Sequence, residues 1–249
     1  MTEGPVECVA GDAGVRSSYD RALGPAKAAL LISDPPYCLL TRRRKGGDLR
    51  DKKDRKIERE PAVRFESVRD YRAFTERWLP LACERLVGKR PLVIWTNFLG
   101  KDPILAVAAG CGYQHLWGEF VWGKRTTERG GGGEVLLRVY EVALIIGKAP
   151  LPPQSPSEPP RPWSVITGYD DEGEGSRWGD HPHHKPFNAL EALVRCYSQP
   201  GDLILDPFAG SGSIPVAALR LDRKVACVEL RPEWAEAVTA RLREEAGRK

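Results

Sequence analysis

The sequence predicts an α/β fold with a mainly parallel β-sheet. Short apolar runs alternate along the chain with longer amphipathic stretches, and several of the runs end at turn residues. The chain of 249 residues is 41% hydrophobic, which suffices for one large core but leaves little room for two. We therefore expect a single domain over residues 1–249, with a doubly wound sheet and loop insertions.

Six apolar runs are predicted as strands. In chain order they are residues 28–33, 91–95, 119–122, 139–147, 202–206 and 225–230. The first run ends at an Asp-Pro-Pro turn, the second follows a helical pattern, and the last two each precede turn or helix signals. A glycine-containing loop connects the third run to the fourth. This alternation is what favours a parallel sheet.

Two segments interrupt the pattern by their composition. Residues 42–60 contain ten Lys or Arg against five Asp or Glu, so this stretch carries a charge of +5 in a chain whose net charge is +4. Residues 150–162 include seven prolines. We expect residues 41–61 to form a basic mobile loop over the active face, and residues 147–180 to form a proline-rich insertion at the surface.

Composition also bears on location and on metal binding. The first residues lack a basic region followed by an apolar stretch, and no run approaches the roughly 18 apolar residues of a membrane span. We expect a cytoplasmic protein with no membrane partner. Six cysteines are scattered without a CxxC pair, so we interpret them as reduced thiols and predict no metal site.

The strand predicted at residues 202–206 runs into the sequence DPFAGSGS, residues 206–213, and then into a helical pattern. Glycines in such a turn let the backbone pass close to a ligand. Glu229 ends the next strand, 23 residues after Asp206, where a carboxylate can hold ribose hydroxyls. Both features are typical of a nucleoside-binding βαβ unit.

The ligand of this unit is predicted to carry positive charge. The dinucleotide pattern GxGxxG is absent, and Asp206 at the strand end would repel a pyrophosphate. S-adenosylmethionine, with its sulfonium and ammonium groups, fits an acidic site better. A glycine-rich turn without a ligand is the alternative interpretation, and a nucleotide-binding oxidoreductase is the alternative enzyme.

The sequence Ser33-Asp34-Pro35-Pro36-Tyr37 follows the first predicted strand. Two prolines fix a rigid turn, and proline has no N–H, so the Asp34 carboxylate and a free backbone carbonyl can point the same way. Together they can accept both hydrogens of an exocyclic amino group, whose nitrogen then attacks a methyl group in line. We predict Asp34, Pro35, Pro36 and Tyr37 as the catalytic turn, with Tyr37 stacking on the base. A plain strand-ending turn is the alternative.

Taken together, DPPY, DPFAGSGS and HPHHKP resemble the DNA amino-methyltransferase family, whose members methylate adenine N6 or cytosine N4. DPPY comes first in this chain and the glycine loop last, which resembles the permuted class called beta. The similarity extends from about residue 11 to about residue 242. It implies a Rossmann-like methyltransferase sheet, S-adenosylmethionine as the cofactor and DNA as the partner.

The resemblance also implies which residues bind the cofactor. They are Asp12, Asp34, His181, Lys185, Pro186, Asp206, Phe208, Ala209, Gly210, Ser211, Gly212, Glu229 and Leu230. The segment around Lys185 is expected to close over the methionine part, and Glu229 to bind the ribose. A metal cluster of His181, His183 and His184 is the alternative, but Pro182 and the lack of a nearby cysteine argue against it.

The basic segment directly follows the predicted catalytic turn, where a loop could reach phosphates beside a flipped base. We predict phosphate contacts from Arg42, Arg43, Arg44, Lys45, Lys52 and Lys53. A solvated loop rich in ion pairs is the alternative. Members of the family usually have a target-recognition region at the place of residues 147–180. In this chain the segment is short and rich in proline, and it does not resemble such a region.

The nature of the substrate stays open between several alternatives. In the family, Asp at the first position of DPPY favours adenine N6, so a flipped-out adenine in DNA is our first choice. Cytosine N4 in DNA, adenine N6 in RNA and a protein amide are alternatives, as is a catalytically silent nucleic-acid-binding partner. A homodimer is also left open.

Overall fold

The computed structural model describes residues 7–41, 63–124, 140–155, 158–167 and 184–248. Eight strands within these ranges form one sheet, in the order β1-β8-β7-β2-β3-β5-β4-β6. The strands are β1 Cys8–Ala10, β2 Leu30–Ser33, β3 Leu92–Thr96, β4 His115–Lys124, β5 Tyr140–Gly147, β6 Ser164–Thr167, β7 Leu203–Asp206 and β8 Lys224–Glu229. The basic segment 42–61 and residues 168–183 lie outside the described ranges.

The sheet is mostly parallel, as predicted. Strand β5 pairs antiparallel with both β3 and β4, whereas the other pairings are parallel. The six predicted strands are present. The largest change of boundary is in β4, which extends from residue 115 to residue 124 where residues 119–122 were predicted. The sequence analysis missed β1 and β6, which have three and four residues and no clear alternation of polar and apolar side chains.

Helices cover both faces of the sheet, so the doubly wound arrangement is confirmed. The helices are α1 Arg16–Leu23, α2 Val68–Glu84, α3 Lys101–Gly110, α4 Phe187–Tyr197, α5 Ser213–Arg220 and α6 Pro232–Ala246. Within β2, Leu31 faces a cluster that includes Trp78 of α2, while Leu30 and Ile32 face a cluster that includes Leu193 of α4. A strand buried on both faces has a continuous apolar sequence, which is why β2 is recognisable.

The proline-rich interval contains one regular element among its described residues. Residues 150–155 and 158–163 form no helix or strand, and β6 follows them as an edge strand paired with β4. Proline favours such irregular structure because it lacks the N–H that a central strand needs. No helix within the described residues is long and apolar enough to cross a membrane.

The packing of α4 against the sheet yields a stability prediction. Leu193 is fully buried, so Leu193→Ala should lower the free energy of unfolding by about 2–5 kcal/mol, through lost burial and the cavity left behind. Arg195 lies on the outer face of the same helix and pairs with Glu191 in solvent, so Arg195→Ala should cost less than about 0.5 kcal/mol. Urea unfolding of both variants measures the difference, and equal costs would contradict this packing.

Candidate active site

The two turns singled out in the sequence meet at one edge of the sheet. Strands β2 and β7 are neighbouring parallel strands, so their carboxyl ends lie side by side. The Ser33 hydroxyl, at the end of β2, donates a buried hydrogen bond of 3.0 Å to Asp206 Oδ1 at the end of β7. The structure therefore brings DPPY and DPFAGSGS together, although they lie far apart in the chain.

Hydrogen bonds fix the shape of the glycine loop. The N–H of Phe208 donates to Asp206 Oδ1 at 3.1 Å, and the N–H of Gly210 donates to Glu229 Oε2 at 2.9 Å. Gly212 has a φ of 84° at the start of α5, which a residue with a Cβ rarely adopts. An added Cβ there would also stand 3.2 Å from a methyl carbon of Val238. The loop is thus a preformed, tightly packed turn at the carboxyl ends of β7 and β8.

Asp206 is suited to stabilise a cation at this loop. Its side chain is buried, and Oδ2 has no hydrogen-bond partner among the described residues. Burial raises the pKa of Asp206 to about 7, because the charged form is poorly solvated. A positively charged ligand would favour the ionised form, so this carboxyl group fits the sulfonium cofactor that the sequence predicts.

A buried cluster of charges surrounds the DPPY turn. The Lys185 ammonium donates to Asp34 Oδ2 and lies 3.1 Å from Glu141 Oε2. Its side chain is only 3% exposed. The rings of Tyr37 and Trp95 flank the ammonium, with centroids 5.4 and 5.3 Å away. Lys185 therefore bridges two carboxylates in a largely dry environment.

The cluster changes the proton affinity of its members. Burial raises the pKa of Asp34; the ammonium of Lys185 opposes the shift and the charge of Glu141 adds to it. Burial by itself lowers the pKa of Lys185, but the charges of Asp34 and Glu141 outweigh it, so this pKa is raised overall. The lysine therefore stays protonated beside its carboxylates.

The two oxygens of Asp34 have different environments. Oδ2 is engaged by Lys185, whereas Oδ1 is buried and has no partner among the described residues. The carbonyl oxygens of Pro35 and Pro36 likewise accept no hydrogen bond within the part of the chain that the structure describes. Acceptors without partners at a strand end can receive the hydrogens of an amino group.

Glu141 was not predicted from the sequence as a site residue. It stands near the start of β5, and because β5 runs antiparallel to β3, this start lies at the same edge as the end of β2. Glu141 Oε2 accepts a hydrogen bond of 2.8 Å from the Tyr37 hydroxyl. The same oxygen forms the ion pair with Lys185. A carboxylate inside an otherwise apolar strand was the available signal.

The remaining predicted residues have varied positions. Asp12 follows β1, where its Oδ1 accepts from the Gly14 N–H at 2.7 Å and its Oδ2 pairs with Arg77 at 3.1 Å. Leu230 directly follows Glu229 and is 67% exposed. Phe208 packs edge-on against Trp78, with ring centroids 5.0 Å apart. The cofactor roles of these three residues stay predictions.

The segment before α4 lies against the glycine loop. His184 Nδ1 is 3.4 Å from the Ser211 hydroxyl, and both residues line a shallow cleft with Lys185, Gly212 and Arg241. Ala209 is buried in the loop, and Pro186 forms the N-cap of α4. His181 and the predicted phosphate contacts Arg42, Arg43, Arg44, Lys45, Lys52 and Lys53 lie outside the described residues. Within them, no group of three His, Cys, Asp or Glu could hold a metal.

Comparisons with known proteins agree on one family. A family model described as DNA methylase matches residues 50–240. The putative methylase YubD of Escherichia coli (strain K12) is 28% identical over 218 residues, which cover 85% of this chain and 80% of that protein.

Solved methyltransferase structures share the fold. The M1.HpyAVI–SAM complex has a TM-score of 0.65 and 19% identity, covering 95% of this chain and 100% of that one. The cytosine-N4-specific PvuII DNA methyltransferase has a TM-score of 0.65 and 17% identity, covering 96% and 87% of the two chains. The Rossmann-like methyltransferase fold expected from the sequence is confirmed.

The raised pKa of Asp206 predicts a pH-dependent stability. The folded pKa is about 7, well above the value of 3.8 for an ordinary aspartate, so its stabilising contribution is present at low pH and is lost as the pH rises through 7. Between pH 5 and pH 8, the wild type should lose about 2 kcal/mol more unfolding free energy than Asp206→Asn, which cannot ionise. Urea unfolding at both values tests this; parallel curves would contradict it.

Proposed function

The chain belongs to the N6/N4 DNA methylase family, and on that premise we propose that it transfers a methyl group to the N6 amino group of a flipped-out adenine in DNA. Family membership makes the chain a DNA methyltransferase that uses S-adenosylmethionine. The choice of adenine and the roles of single residues are the proposal. The observation that carries methyl transfer to an exocyclic amino group is the buried Oδ1 of Asp34, which has no hydrogen-bond partner among the described residues.

The turn residues act on the target amino group. Its nitrogen is a poor nucleophile while its lone pair is delocalised into the ring. Asp34 Oδ1 and a proline carbonyl accept its two hydrogens and favour a tetrahedral nitrogen, whose lone pair then points away from the acceptors. Tyr37 stacks on the base and holds it in place. Because positioning and electrostatics supply the acceleration, no covalent intermediate with the protein is needed.

The glycine loop and its neighbours bind the cofactor, which supplies an electrophilic methyl group on a positively charged sulfur. Asp206 stabilises that charge, and Gly210 and Gly212 let the backbone approach the ligand. The Glu229 carboxylate, held by the N–H groups of Gly210 and Arg231, accepts hydrogen bonds from the ribose. Because β2 pairs with β7, a methyl group held at the glycine loop would lie near an amino group held at the DPPY turn. The N–C bond would form as the carbon–sulfur bond breaks, and the nitrogen would release one of its two protons.

Cytosine N4 is the second candidate target. An acidic turn with free acceptors suits either exocyclic amine, and the cytosine-N4-specific PvuII enzyme shares this fold. The aspartate in DPPY supports adenine, through the resemblance described above. Sequencing of modified bases in DNA from cells that express the protein distinguishes N6-methyladenine from N4-methylcytosine. Methyl transfer to RNA, measured after incubation with the protein, tests the remaining alternative, adenine N6 in RNA.

Asp34→Asn should reduce methyl transfer at least about 100-fold, since an amide in place of the carboxylate weakens the acceptors at the amino group. Affinity for S-adenosylmethionine, measured by calorimetry, should change little. Asp206→Ala is the matched comparison and should weaken cofactor binding by about 1–3 kcal/mol, the cost of losing one buried polar partner. Loss of cofactor binding in a folded Asp34→Asn variant would instead assign Asp34 to the cofactor pocket.

The basic segment is proposed to hold the DNA backbone. Lysine and arginine that contact phosphates displace counterions, so DNA affinity should fall steeply with salt. Replacing Arg42, Arg43 and Arg44 by Gln should flatten the log–log salt dependence by up to about three units and leave cofactor affinity unchanged. Fluorescence titration at several salt concentrations measures the slope. Equal slopes in wild type and variant would show that these arginines are merely solvated.

A further inference from the structure

We propose that Glu141 is a positioning residue for methyl transfer, which holds Lys185 against Asp34 and fixes the ring of Tyr37 over the target base. This inference rests on the proposed function. It adds a residue from β5, remote in sequence from both motifs, to the machinery of the reaction.

One oxygen of Glu141 contacts both the Tyr37 hydroxyl and the lysine that pairs with Asp34. Glu141 Oε2 accepts from the Tyr37 hydroxyl at 2.8 Å and lies 3.1 Å from Lys185 Nζ. Two donors that share one acceptor are fixed relative to each other. The base-stacking ring and the ammonium therefore hold their positions through the same atom.

Lys185, held by Glu141, in turn fixes the orientation of the Asp34 carboxylate. Its ammonium engages Oδ2, so the carboxylate cannot rotate freely and Oδ1 remains directed away from the lysine, without a partner among the described residues. One oxygen is thus used for anchoring and the other is left for the substrate. Glu141 never has to touch the substrate to have this effect.

Lys185 needs Glu141 because the lysine is buried. A lysine that is 3% exposed loses most of its hydration, and one carboxylate compensates that loss incompletely. The second carboxylate keeps the ammonium charged and limits its motion. Without Glu141, we expect the ammonium of Lys185 to keep its pair with Asp34 but to be held in a less fixed position.

The charge of Glu141 also sets the pH range of activity. Among the described residues, the charged groups that interact with Asp34 are Lys185, Glu141 and Asp206, and the Tyr37 hydroxyl stands beside them. Glu141 raises the pKa of Asp34, so its removal lowers that pKa. Asp34 must be ionised to accept the amino group, and the acidic limb of the rate profile should therefore move to lower pH.

The test compares Glu141→Gln with Glu119→Gln. Glutamine keeps the shape of glutamate and can still accept from Tyr37, but it lacks the charge. Glu119 is the matched control, because it also pairs a strand carboxylate with a lysine, Lys101, at 2.8 Å and has no contact with Asp34. Steady-state kinetics on DNA from pH 5 to 9, with cofactor affinity measured separately, give the readouts.

For Glu141→Gln we expect kcat to fall about tenfold, the acidic limb of kcat to move to lower pH, and cofactor affinity to stay within about threefold. Glu141→Ala, which also loses the bond to Tyr37, should lose about 100-fold in kcat. Glu119→Gln should match the wild type. A merely structural role for Glu141 would lower stability without moving the pH profile.

The inference is overturned if folded Glu141→Gln has the kcat and pH profile of the wild type. If that variant does not fold, Tyr37→Phe replaces it, because it removes one bond to Glu141 and keeps the ring. Its kcat should fall about fivefold. The acidic limb should move to higher pH, because the Tyr37 hydroxyl lowers the pKa of Asp34. An unchanged kcat in Tyr37→Phe would then overturn the inference. A wild type that methylates no amino group would overturn the proposed function itself, which is a different result.

Discussion

The parallel pairing of β2 with β7 is the constraint on which the site depends. It makes the two strands end at the same edge, so the turns that follow them meet although 172 residues separate Asp34 from Asp206. The buried hydrogen bond from Ser33 to Asp206 locks this register. A shift by one residue would turn each side chain of β2 to the opposite face and would separate the DPPY turn from the glycine loop.

Burial of charge gives the site its chemical character. Lys185 lies between Asp34 and Glu141, and Asp206 is buried close by, so carboxyl groups outnumber cations among the described residues that form the cluster. Burial raises the pKa values of Asp34 and Asp206, and the negative charges of neighbouring carboxylates add to both shifts. A cationic cofactor bound beside this cluster would offset the negative charge. On the proposed function, this is an electrostatic reason to prefer a sulfonium to a phosphorylated nucleotide.

The sequence was informative where the signal is local. The turns at DPPY and DPFAGSGS could be predicted because proline and glycine restrict the backbone within a few residues. The apolar runs identified the inner strands of the sheet. Strands β1 and β6 were missed because short edge strands depend on their partners more than on their own side chains. The contact between Lys185 and Glu141 could not be predicted. It depends on β5 running antiparallel to β3, and the residues of β5 do not by themselves show in which direction the strand pairs.

The buried ion cluster also restricts how this protein can change during evolution. Its three charged members come from three distant parts of the chain, so no single segment can be exchanged without leaving a buried charge uncompensated. Such a loss costs about 3–5 kcal/mol, which is comparable to a large part of the stability of a whole domain. Relatives with a different residue at position 34 should therefore differ at positions 141 and 185 as well, and variation at these three positions should be correlated.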